Sequence, residues 1–315
     1  MAQSLRTATH RTPRPGPAEP PSVSRRTPTR RRPFRRWFSQ TGWRHLVGIA
    51  VVIFAAFPLV YVFSASLNPG GTLITANTLF GNLSLRSYVD LFNLPRQPFA
   101  AWYVNTLFIG FSASAGSVML GALAAYAFSR MRFTGRRFGL ITILLVQMFP
   151  QLLAMVAIFL LMLSIGEIFP AIGLNSQIGL IMVYLGGALG VNTYLMYGFF
   201  NTIPVSIDEA ARIDGAGHAR IFFTIILPLV SPILAVVALL SLVATLSEFV
   251  IASVLLRDPE KQTLAVGLYQ FISQETSQNW SIFAAGAVLA AIIPVALFLG
   301  LQRYIVSGLV AGSVK

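Results

Sequence analysis

The sequence predicts an all-α, polytopic membrane protein with six transmembrane helices and a short cytoplasmic helix between spans four and five. Three observations predict this class. Of the 315 residues, 55% are hydrophobic and only 10% are charged, with a mean hydropathy of +0.72, whereas soluble domains carry roughly 25% charged residues. Six long apolar runs follow one another, and basic residues concentrate in alternate connecting segments. A chain of this composition has lipid as its main solvent.

The first 45 residues differ from the rest of the chain. They contain 11 arginines and 7 prolines with almost no aliphatic periodicity, a composition that cannot bury enough apolar surface to offset chain entropy. We therefore predict a disordered cytoplasmic tail over residues 1–45 and a six-span domain over residues 46–315. The Arg-rich stretch 26–37 either anchors the topology or binds anionic membrane lipid. Nucleic acid is not an expected partner, because no reader motif accompanies the basic run.

Each apolar run has the length of a membrane span. The runs are 21 to 26 residues long, and about 20 residues cross the hydrocarbon core as a helix. Because backbone groups cannot stay unsatisfied in lipid, each run should be helical. Pro150 and Pro294 predict kinks, and the glycines of 186–190 either loosen the fourth span or allow close helix packing. The six runs are 46–67, 103–128, 138–163, 178–200, 233–256 and 282–302.

The distribution of Lys and Arg predicts the orientation of the chain. Of the 23 basic residues, 19 lie in the N-terminal tail and in 129–137, 201–232 and 303–315, and 4 lie in the alternate segments. The side of the membrane that is richer in Lys and Arg is the cytoplasmic side. We therefore expect both termini and segment 201–232 in the cytoplasm, and segment 257–281 on the opposite side.

Residue content argues against an enzyme. The chain has no cysteine, and its three histidines lack metal-ligating neighbours at helical spacing, so no metal site is expected. The sequence contains no G-x-x-x-x-G-K-[ST] motif, and its only lysines are Lys261 and Lys315, so the chain cannot hydrolyse ATP through a P-loop. It also lacks the clustered His, Cys or carboxylate set of a membrane enzyme. We expect no catalytic residue and no bound cofactor.

Segment 206–228, SIDEAARIDGAGHARIFFTIILP, is unusually polar for this chain, with three of the ten acids within seven residues. Ser206 and Glu209 have the spacing of a capping box. Asp208 and Glu209 are expected in the first helical turn, where negative charge complements the helix dipole. Gly215 can take a positive φ and end the helix. The segment therefore predicts a short helix and a turn at the membrane surface.

A second short helix should follow this turn. Ile221, Phe222, Ile225 and Ile226 fall on one apolar face, and Leu227-Pro228 should break the helix before the fifth span. In the first helix, Ala210 and Ala211 have small side chains, which would let another protein approach the helix closely. On physical grounds alone, an ordinary amphipathic loop explains the segment as well as a docking helix does.

The segment resembles the EAA loop of membrane-spanning subunits of ATP-binding-cassette importers. Glu209-Ala210-Ala211, Gly215, Ile225 and Leu227-Pro228 match its signature positions, in a loop that precedes the penultimate span. Outside this loop the chain is similar to the smaller, MalG-type permease of maltose/maltodextrin importers, and the Pro-rich tail departs from that pattern. Stretches that carry this similarity include AYAFSRMRF (125–133), LPLVSPILAVV (227–237) and GLVAGSVK (308–315).

The resemblance implies a non-catalytic permease subunit in a prokaryotic plasma membrane, which forms a translocation path with a second, homologous permease. It implies that the EAA loop is a coupling helix that docks on a dimer of ATPase subunits, which bind ATP and Mg. The implied coupling residues are Glu209, Ala210, Ala211, Gly215, Leu227 and Pro228.

The resemblance also implies an extracytoplasmic sugar-binding protein and a substrate. Maltose or maltodextrin is the expected substrate, with trehalose or another oligosaccharide as the alternative. A proton-coupled secondary carrier is a further alternative. A plain solvated connector is the alternative to a loop that touches the binding protein. The implied contact residues of that loop are Tyr269, Gln270, Ser273 and Gln274.

Glu248 is the only charged residue in run 233–256. Because a charge at mid-membrane costs at least about 2.5 kcal/mol, its side chain should face protein or a water-filled path. Two interpretations stand: Glu248 borders the translocation pathway or pairs with the partner permease, or it is a structural hydrogen-bonding group. No sugar ligands are assigned, because in the resembling maltose system the larger partner permease carries the main sugar-binding site.

Overall fold

The computed structural model describes residues 38–69, 71–72, 78–187, 189–273 and 279–311, with side chains except at 39–40, 151 and 303–311. This described part is helical, with short π and 3₁₀ turns and no strand, which confirms the all-α prediction. The predicted tail lies outside the described residues up to residue 37. The chain divides into two units, Met1–Phe54 and Ala55–Lys315. In the first unit a π-helical turn, Phe38–Gly42, leads into a helix that begins at Trp43.

We number the helices in chain order. A π-helical turn, Ile221–Ile226, is included in the ninth. The helices are α1 (Trp43–Ser66), α2 (Arg86–Asn93), α3 (Phe99–Arg130), α4 (Arg136–Gln147), α5 (Gln151–Ile168), α6 (Gln177–Gly186), α7 (Val191–Phe200), α8 (Val205–Ile213), α9 (His218–Leu229), α10 (Ser231–Ser247), α11 (Val250–Leu255), α12 (Leu264–Tyr269) and α13 (Trp280–Ala311).

Three of these helices, α1, α3 and α13, are each long and apolar enough to cross a membrane. Three pairs have the length and composition of one span only when taken together, and each pair is bent at a break of a few residues. The angles are 98° between α4 and α5, 54° between α6 and α7, and 80° between α9 and α10. The count of six spans requires each bent pair to cross the membrane once, and it stays a prediction.

Two of the interruptions have a local cause in the sequence. Pro150 precedes α5 with an extended ψ of 116°, and a proline ring clashes with the helical turn before it. Gly190 precedes α7 with φ −85° and ψ −127°, which glycine tolerates because it has no Cβ. The expected interruption at Pro150 is present, whereas α13 runs on through Pro294. Between α10 and α11, Glu248 is extended, with ψ 122°, a break that sequence analysis did not anticipate.

Helix α3 is the central element of the second unit. It packs against α6, α7 and α10, and α10 packs in turn against α13. Small buried residues on α3, such as Ala113 and Ala122, let neighbouring helices approach closely, and Ser114 Oγ donates to the Ala238 carbonyl of α10 at 2.8 Å. We call its two ends the Arg130 end and the Phe99 end. Each end holds a polar connecting segment, and these two segments form the candidate sites.

Candidate functional site

Helix α8, at the Arg130 end, begins directly after Pro204 and without a side-chain cap. Pro204 has φ −57° and ψ 133°, and no side-chain hydrogen bond caps the helix. Ser206 lies inside the first turn, which contains Asp208, and Glu209 follows it. The predicted capping box of Ser206 and Glu209 is therefore wrong. Because the proline ring already fixes φ near the helical value, the helix starts one residue before Ser206.

A buried ion pair ties α8 to α3. The carboxylate of Asp208 lies with Oδ2 2.6 Å from Nε of Arg130, and the two side chains are only 2% and 3% exposed. Arg130 Nη2 also donates to the Ile203 carbonyl at 2.8 Å, just ahead of α8. Two buried charges are tolerated in this way only when each compensates the other. The pair therefore fixes the first turn of α8 against the last turn of α3.

Helix α9 packs beside this ion pair through the predicted apolar face. Ile221, Phe222 and Ile226 are buried, and Ile225 is partly buried against the same cluster. The ring of Tyr126 on α3 lies 5.1 Å from that of Phe222 between centroids. These contacts confirm the amphipathic second helix and attach it to α3.

Ala211 belongs to the same core. It is 8% exposed and packs in the cluster that includes Phe222, whereas Ala210 is exposed. Of the two alanines that were expected to thin an outer surface, Ala211 is therefore buried, and the role of Ala210 stays a prediction. Successive helix positions differ by about 100° in direction, and Ala211 is the one of the two that points toward this core.

Gly215 ends α8 with the predicted turn. Its φ is +80°, a left-handed conformation that side-chain-bearing residues adopt at a cost. The amide of Gly215 donates to the Arg212 carbonyl at 3.0 Å, and the amide of Ala216 donates to the Ala211 carbonyl at 2.9 Å. This pair of bonds is the Schellman motif, which satisfies carbonyls that a helix end leaves free.

The break expected at Leu227-Pro228 lies later than predicted. Helix α9 runs through Pro228 to Leu229, and the chain turns by 80° into α10 only at Val230. The wide π-helical turn just before the proline accommodates it. The amide of Leu227 donates to the carbonyl of Phe222, five residues back.

One face of α8 is exposed in the described part of the chain. Val205, Glu209 and Ile213 follow one another at four-residue spacing, and all three are exposed, with Ile213 at 86%. Residues four apart share a helix face. Beside this face, Arg132, Arg136 and Arg212 line an open, basic cleft. Helix α8 thus presents an exposed face with apolar and charged side chains, while its opposite face is held by the ion pair.

At the Phe99 end, the segment Pro259–Tyr269 is folded onto α3. Trp102 Nε1 donates to the Pro259 carbonyl at 2.7 Å, and Asn105 Nδ2 donates to the Glu260 carbonyl at 2.7 Å. The Leu264 amide donates to Thr106 Oγ1 at 2.6 Å, in a buried position. Three side chains within little more than one turn of α3 are thus bonded to backbone atoms of this segment.

Gly267 allows a close approach between this segment and α3. A Cβ added at Gly267 would lie 2.2 Å from Cδ2 of Trp102, far inside van der Waals contact. Trp102 and Phe271 are both completely buried there. The segment is a packed element rather than a plain solvated connector.

The loop residues that sequence analysis singled out lie at the outer edge of this element. Tyr269 is 49% exposed and Ser273 is also exposed. Gln270 is half-buried, and its Nε2 donates to Gln262 Oε1 at 2.7 Å. Gln274 lies outside the described residues. Tyr269 and Ser273 are therefore accessible to another protein, whereas Gln270 is already engaged within the segment.

Glu248 is a hydrogen-bonding centre between three helices. Its Oε2 accepts from Tyr184 Oη at 2.6 Å, and the amides of Ile251 and Ala252 donate to the carboxylate at 2.7 and 3.0 Å. The carboxylate thus caps α11 while bonding to α6. Glu248 is therefore a structural hydrogen-bonding group, as the second interpretation holds. It also lines an open cleft.

The residues of α3 that hold both segments were not predicted from the sequence. Arg130, Trp102 and Thr106 sit on one helix, and their partners lie 73 to 158 residues further along the chain. No local spacing rule connects such distant positions. The one available signal was Arg130 itself, an arginine that directly ends an apolar run. In the described part of the chain, no group of three or more His, Asp or Glu residues is placed to hold a metal ion.

Comparison with known proteins identifies relatives along nearly the whole chain. Residues 117–310 match the family described as "Binding-protein-dependent transport system inner membrane component". The galactooligosaccharides transport system permease protein GanQ of Bacillus subtilis is 42% identical over 271 residues, covering 86% of this chain and 93% of GanQ. The maltodextrin transport system permease protein MdxG of the same organism is 42% identical, covering 82% of this chain and 90% of MdxG. The maltose/maltodextrin permease MalG of Escherichia coli (strain K12) is 38% identical, over 86% of this chain and 94% of MalG.

Solved structures agree with these relatives. A chain of a bacterial ABC transporter involved in the import of the acidic polysaccharide alginate superimposes with a TM-score of 0.70 and 26% identity, covering 85% of this chain and 98% of that chain. A chain of a bacterial alginate ABC transporter in complex with an alginate pentasaccharide-bound periplasmic protein has a TM-score of 0.61 at 16% identity, a likeness of fold alone. The family match, the identities and the shared fold together lead to one conclusion. The chain belongs to the family of inner membrane components of binding-protein-dependent transport systems.

Proposed function

We propose that this chain is the membrane-spanning permease subunit of an ATP-driven importer of neutral oligosaccharides, in particular of maltose and maltodextrins. The relatives named for maltodextrin and for galactooligosaccharides are both 42% identical to it, so identity does not separate these two sugar classes. Both classes are neutral chains of hexose units, and this shared chemistry defines the proposed substrate.

Energy for transport comes from partner subunits. The chain has no P-loop motif, so ATP and Mg bind to a dimer of ATPase subunits. A second, homologous permease completes the translocation path. An extracytoplasmic binding protein delivers the sugar, as the family description and the alginate complex suggest.

The geometry of α8 carries the proposal. Its outer face, with Val205, Glu209 and Ile213, is exposed, while Asp208 on the opposite face is held by Arg130 of α3. A force applied to the exposed face is therefore transmitted to α3 through this buried ion pair. In this arrangement Glu209 pairs with cations of the ATPase, and Ala210 lets the two proteins approach closely.

The remaining coupling residues act from within the chain. Gly215 makes the turn after α8, and Ala211 packs α8 against α9. Leu227 and Pro228 shape the end of α9, where the chain turns into α10. These residues keep the docking face in place rather than touching the ATPase themselves.

The proposed orientation places the Arg130 end and both termini in the cytoplasm, with six spans in the plasma membrane. The Phe99 end then faces the binding protein, which meets the exposed Tyr269 and Ser273. The predominance of Lys and Arg in the segments at the Arg130 end supports this orientation.

Docking on the ATPase is tested with Glu209→Lys. We expect at least about a tenfold weaker co-purification of the ATPase subunits, because one attractive pair becomes repulsive in a partly desolvated contact. Glu260→Lys is the matched control, since it makes the same charge change at an exposed position of the Phe99 end. A normal ATPase yield with Glu209→Lys would contradict the coupling role.

Transport itself is tested in vesicles that contain the complete complex and the binding protein. We expect uptake of maltotriose or of a galactotrisaccharide only when ATP is supplied on the cytoplasmic side. Uptake by this chain alone, driven by a proton gradient and without an ATPase, would favour a secondary carrier instead.

A further inference from the structure

Two interrupted helices meet α3 at an open cleft. Helix α6 ends at Gly186 and α7 begins at Val191, whereas α10 ends at Ser247 and α11 begins at Val250. Polar side chains from α3, from both sides of the first interruption and from α10 and the residue that follows it line this cleft. These six cleft residues are Ser117, Tyr184, Asn192, Ser241, Thr245 and Glu248.

The cleft residues lie near the middle of the predicted spans. Ser117 is central in run 103–128, Tyr184 and Asn192 flank the centre of run 178–200, and Ser241 and Glu248 do so in run 233–256. Polar groups at that depth are costly when they face lipid. Their concentration on one cleft indicates a polar route through the apolar part of the molecule.

Hydrogen bonds within the cleft fix the orientation of these side chains. Tyr184 Oη donates to Glu248 Oε2 at 2.6 Å, and Asn192 Nδ2 donates to Ser241 Oγ at 2.8 Å. The backbone of α11 holds the Glu248 carboxylate from the other side. The site is therefore organised before any ligand arrives, which lowers the entropy lost on binding.

Hydrogen-bonding capacity remains free for a ligand. In the described part of the chain, Asn192 Oδ1 and Ser117 Oγ have no hydrogen-bond partner. Hydroxyl groups of Ser241 and Thr245 and the ring of Tyr184 lie beside them. A ligand with several hydroxyl groups could use these acceptors and donors, and the aromatic ring would pack on its apolar C–H face.

Size and charge narrow the ligand further. The open cleft has a volume of about 290 Å³, at the lower limit of the roughly 300–1,000 Å³ that is usual for small-molecule sites. One carboxylate and no cationic side chain line it. A carboxylate in a low-dielectric site repels an anionic ligand, so acidic sugars are disfavoured.

We propose that this cleft is a saccharide subsite on this chain, which binds hydroxyl groups of a neutral oligosaccharide during its passage. The inference rests on the proposed function and adds a site and a charge preference to it. The subsite lies between the two interruptions of the helices, and it selects against uronic acid units.

The absence of cysteine from the chain provides a direct test. In the assembled complex, with cysteines of the partner subunits replaced, Thr245→Cys introduces a single thiol into the cleft. We expect a small, water-soluble thiol reagent to label it, and the transported trisaccharide to slow the labelling. The slowing should reach about tenfold when the sugar is at ten times its dissociation constant. A uronate trisaccharide should give no protection.

Two further variants show whether the sugar protects the thiol because it binds in this cleft. Thr134→Cys makes the same substitution at an exposed position of the polar segment 129–137, which does not line the cleft, so the reagent should label it and the sugar should not change that labelling. Asn192→Leu removes one acceptor, and in combination with Thr245→Cys it should raise the protecting sugar concentration about fivefold, the effect of one lost hydrogen bond. ATP-driven uptake is measured in the same vesicles, so that a failure of the subsite proposal can be told apart from a failure of the importer proposal.

Each outcome decides one of the two proposals. Uptake without any protection of Thr245→Cys overturns the subsite and leaves the importer function standing. Equal protection by neutral and acidic sugars overturns the charge preference on which the assignment rests. Absence of ATP-driven uptake of both trisaccharides overturns the importer function, and the subsite with it.

Discussion

The two ends of α3 hold their connecting segments by different chemistry. At the Arg130 end, one buried ion pair with Asp208 carries the attachment of α8. At the Phe99 end, Trp102, Asn105 and Thr106 bond to backbone atoms of segment 259–264. A buried ion pair fails as a whole when one partner is lost, whereas neutral bonds to the backbone fail one at a time. The Arg130 end therefore depends on the identity of two side chains, whereas the attachment of the Phe99 end is distributed over several bonds and close contacts.

Asp208→Ala should produce the largest effect. It leaves the Arg130 guanidinium buried and without its counter-charge, which costs about 3–5 kcal/mol. We expect a clear fall in the midpoint of thermal unfolding in detergent, together with loss of bound ATPase.

The double variant Arg130→Met with Asp208→Leu sharpens this prediction. An apolar pair of similar volume often replaces a buried ion pair without loss of stability. Recovery of the unfolding midpoint in the double variant is expected. A single variant that unfolds like the wild type would show that the pair contributes little, and the contrast between the two ends would disappear.

Gly267→Ala tests the fit at the Phe99 end. The new Cβ would lie 2.2 Å from the Trp102 ring, and overpacking a rigid neighbour costs about 2–3 kcal/mol. The unfolding midpoint should fall by less than in Asp208→Ala, and ATPase binding should persist. Gly300→Ala is the control, because nothing lies within 4 Å of its Cβ position. Equal midpoints for the two glycine variants would count against close packing on Trp102.

Thr106→Val should have the smallest effect. It leaves the Leu264 amide without its acceptor, a loss of about 1–2 kcal/mol, while Trp102 and Asn105 still hold the segment. The expected readout is faster hydrogen exchange at Leu264 with little change in the unfolding midpoint. Thr106→Ser keeps the hydroxyl and should exchange like the wild type. A collapse of the whole segment in Thr106→Val would show that its attachment is not distributed.

Local features of the fold were predictable from sequence. Three of the apolar runs coincide with the long helices α1, α3 and α13. The buried face of Ile221, Phe222 and Ile226 follows from helical spacing, and the positive φ of Gly215 follows from its place after a short helix. In each case the residues that determine the feature are neighbours in the chain.

Features that depend on distant residues were not predictable. Arg130 and Asp208 are 78 positions apart in the sequence, and a carboxylate at the start of a helix is normally explained by the helix dipole alone. Likewise, the break at Glu248 contains neither Gly nor Pro. It is stabilised by the hydroxyl of Tyr184 on another helix. Only the tertiary structure reveals these partners.

The continuity of α3 has a mechanical consequence. Its 32 residues run without interruption from Phe99 to Arg130, a length of about 48 Å at 1.5 Å per residue, whereas the spans that form the saccharide cleft with it are broken. An unbroken helix resists axial compression, and α3 therefore moves as one rigid element between the two membrane surfaces. A displacement of one end of α3 would therefore be transmitted to its other end, while the interrupted helices beside it change conformation around the sugar.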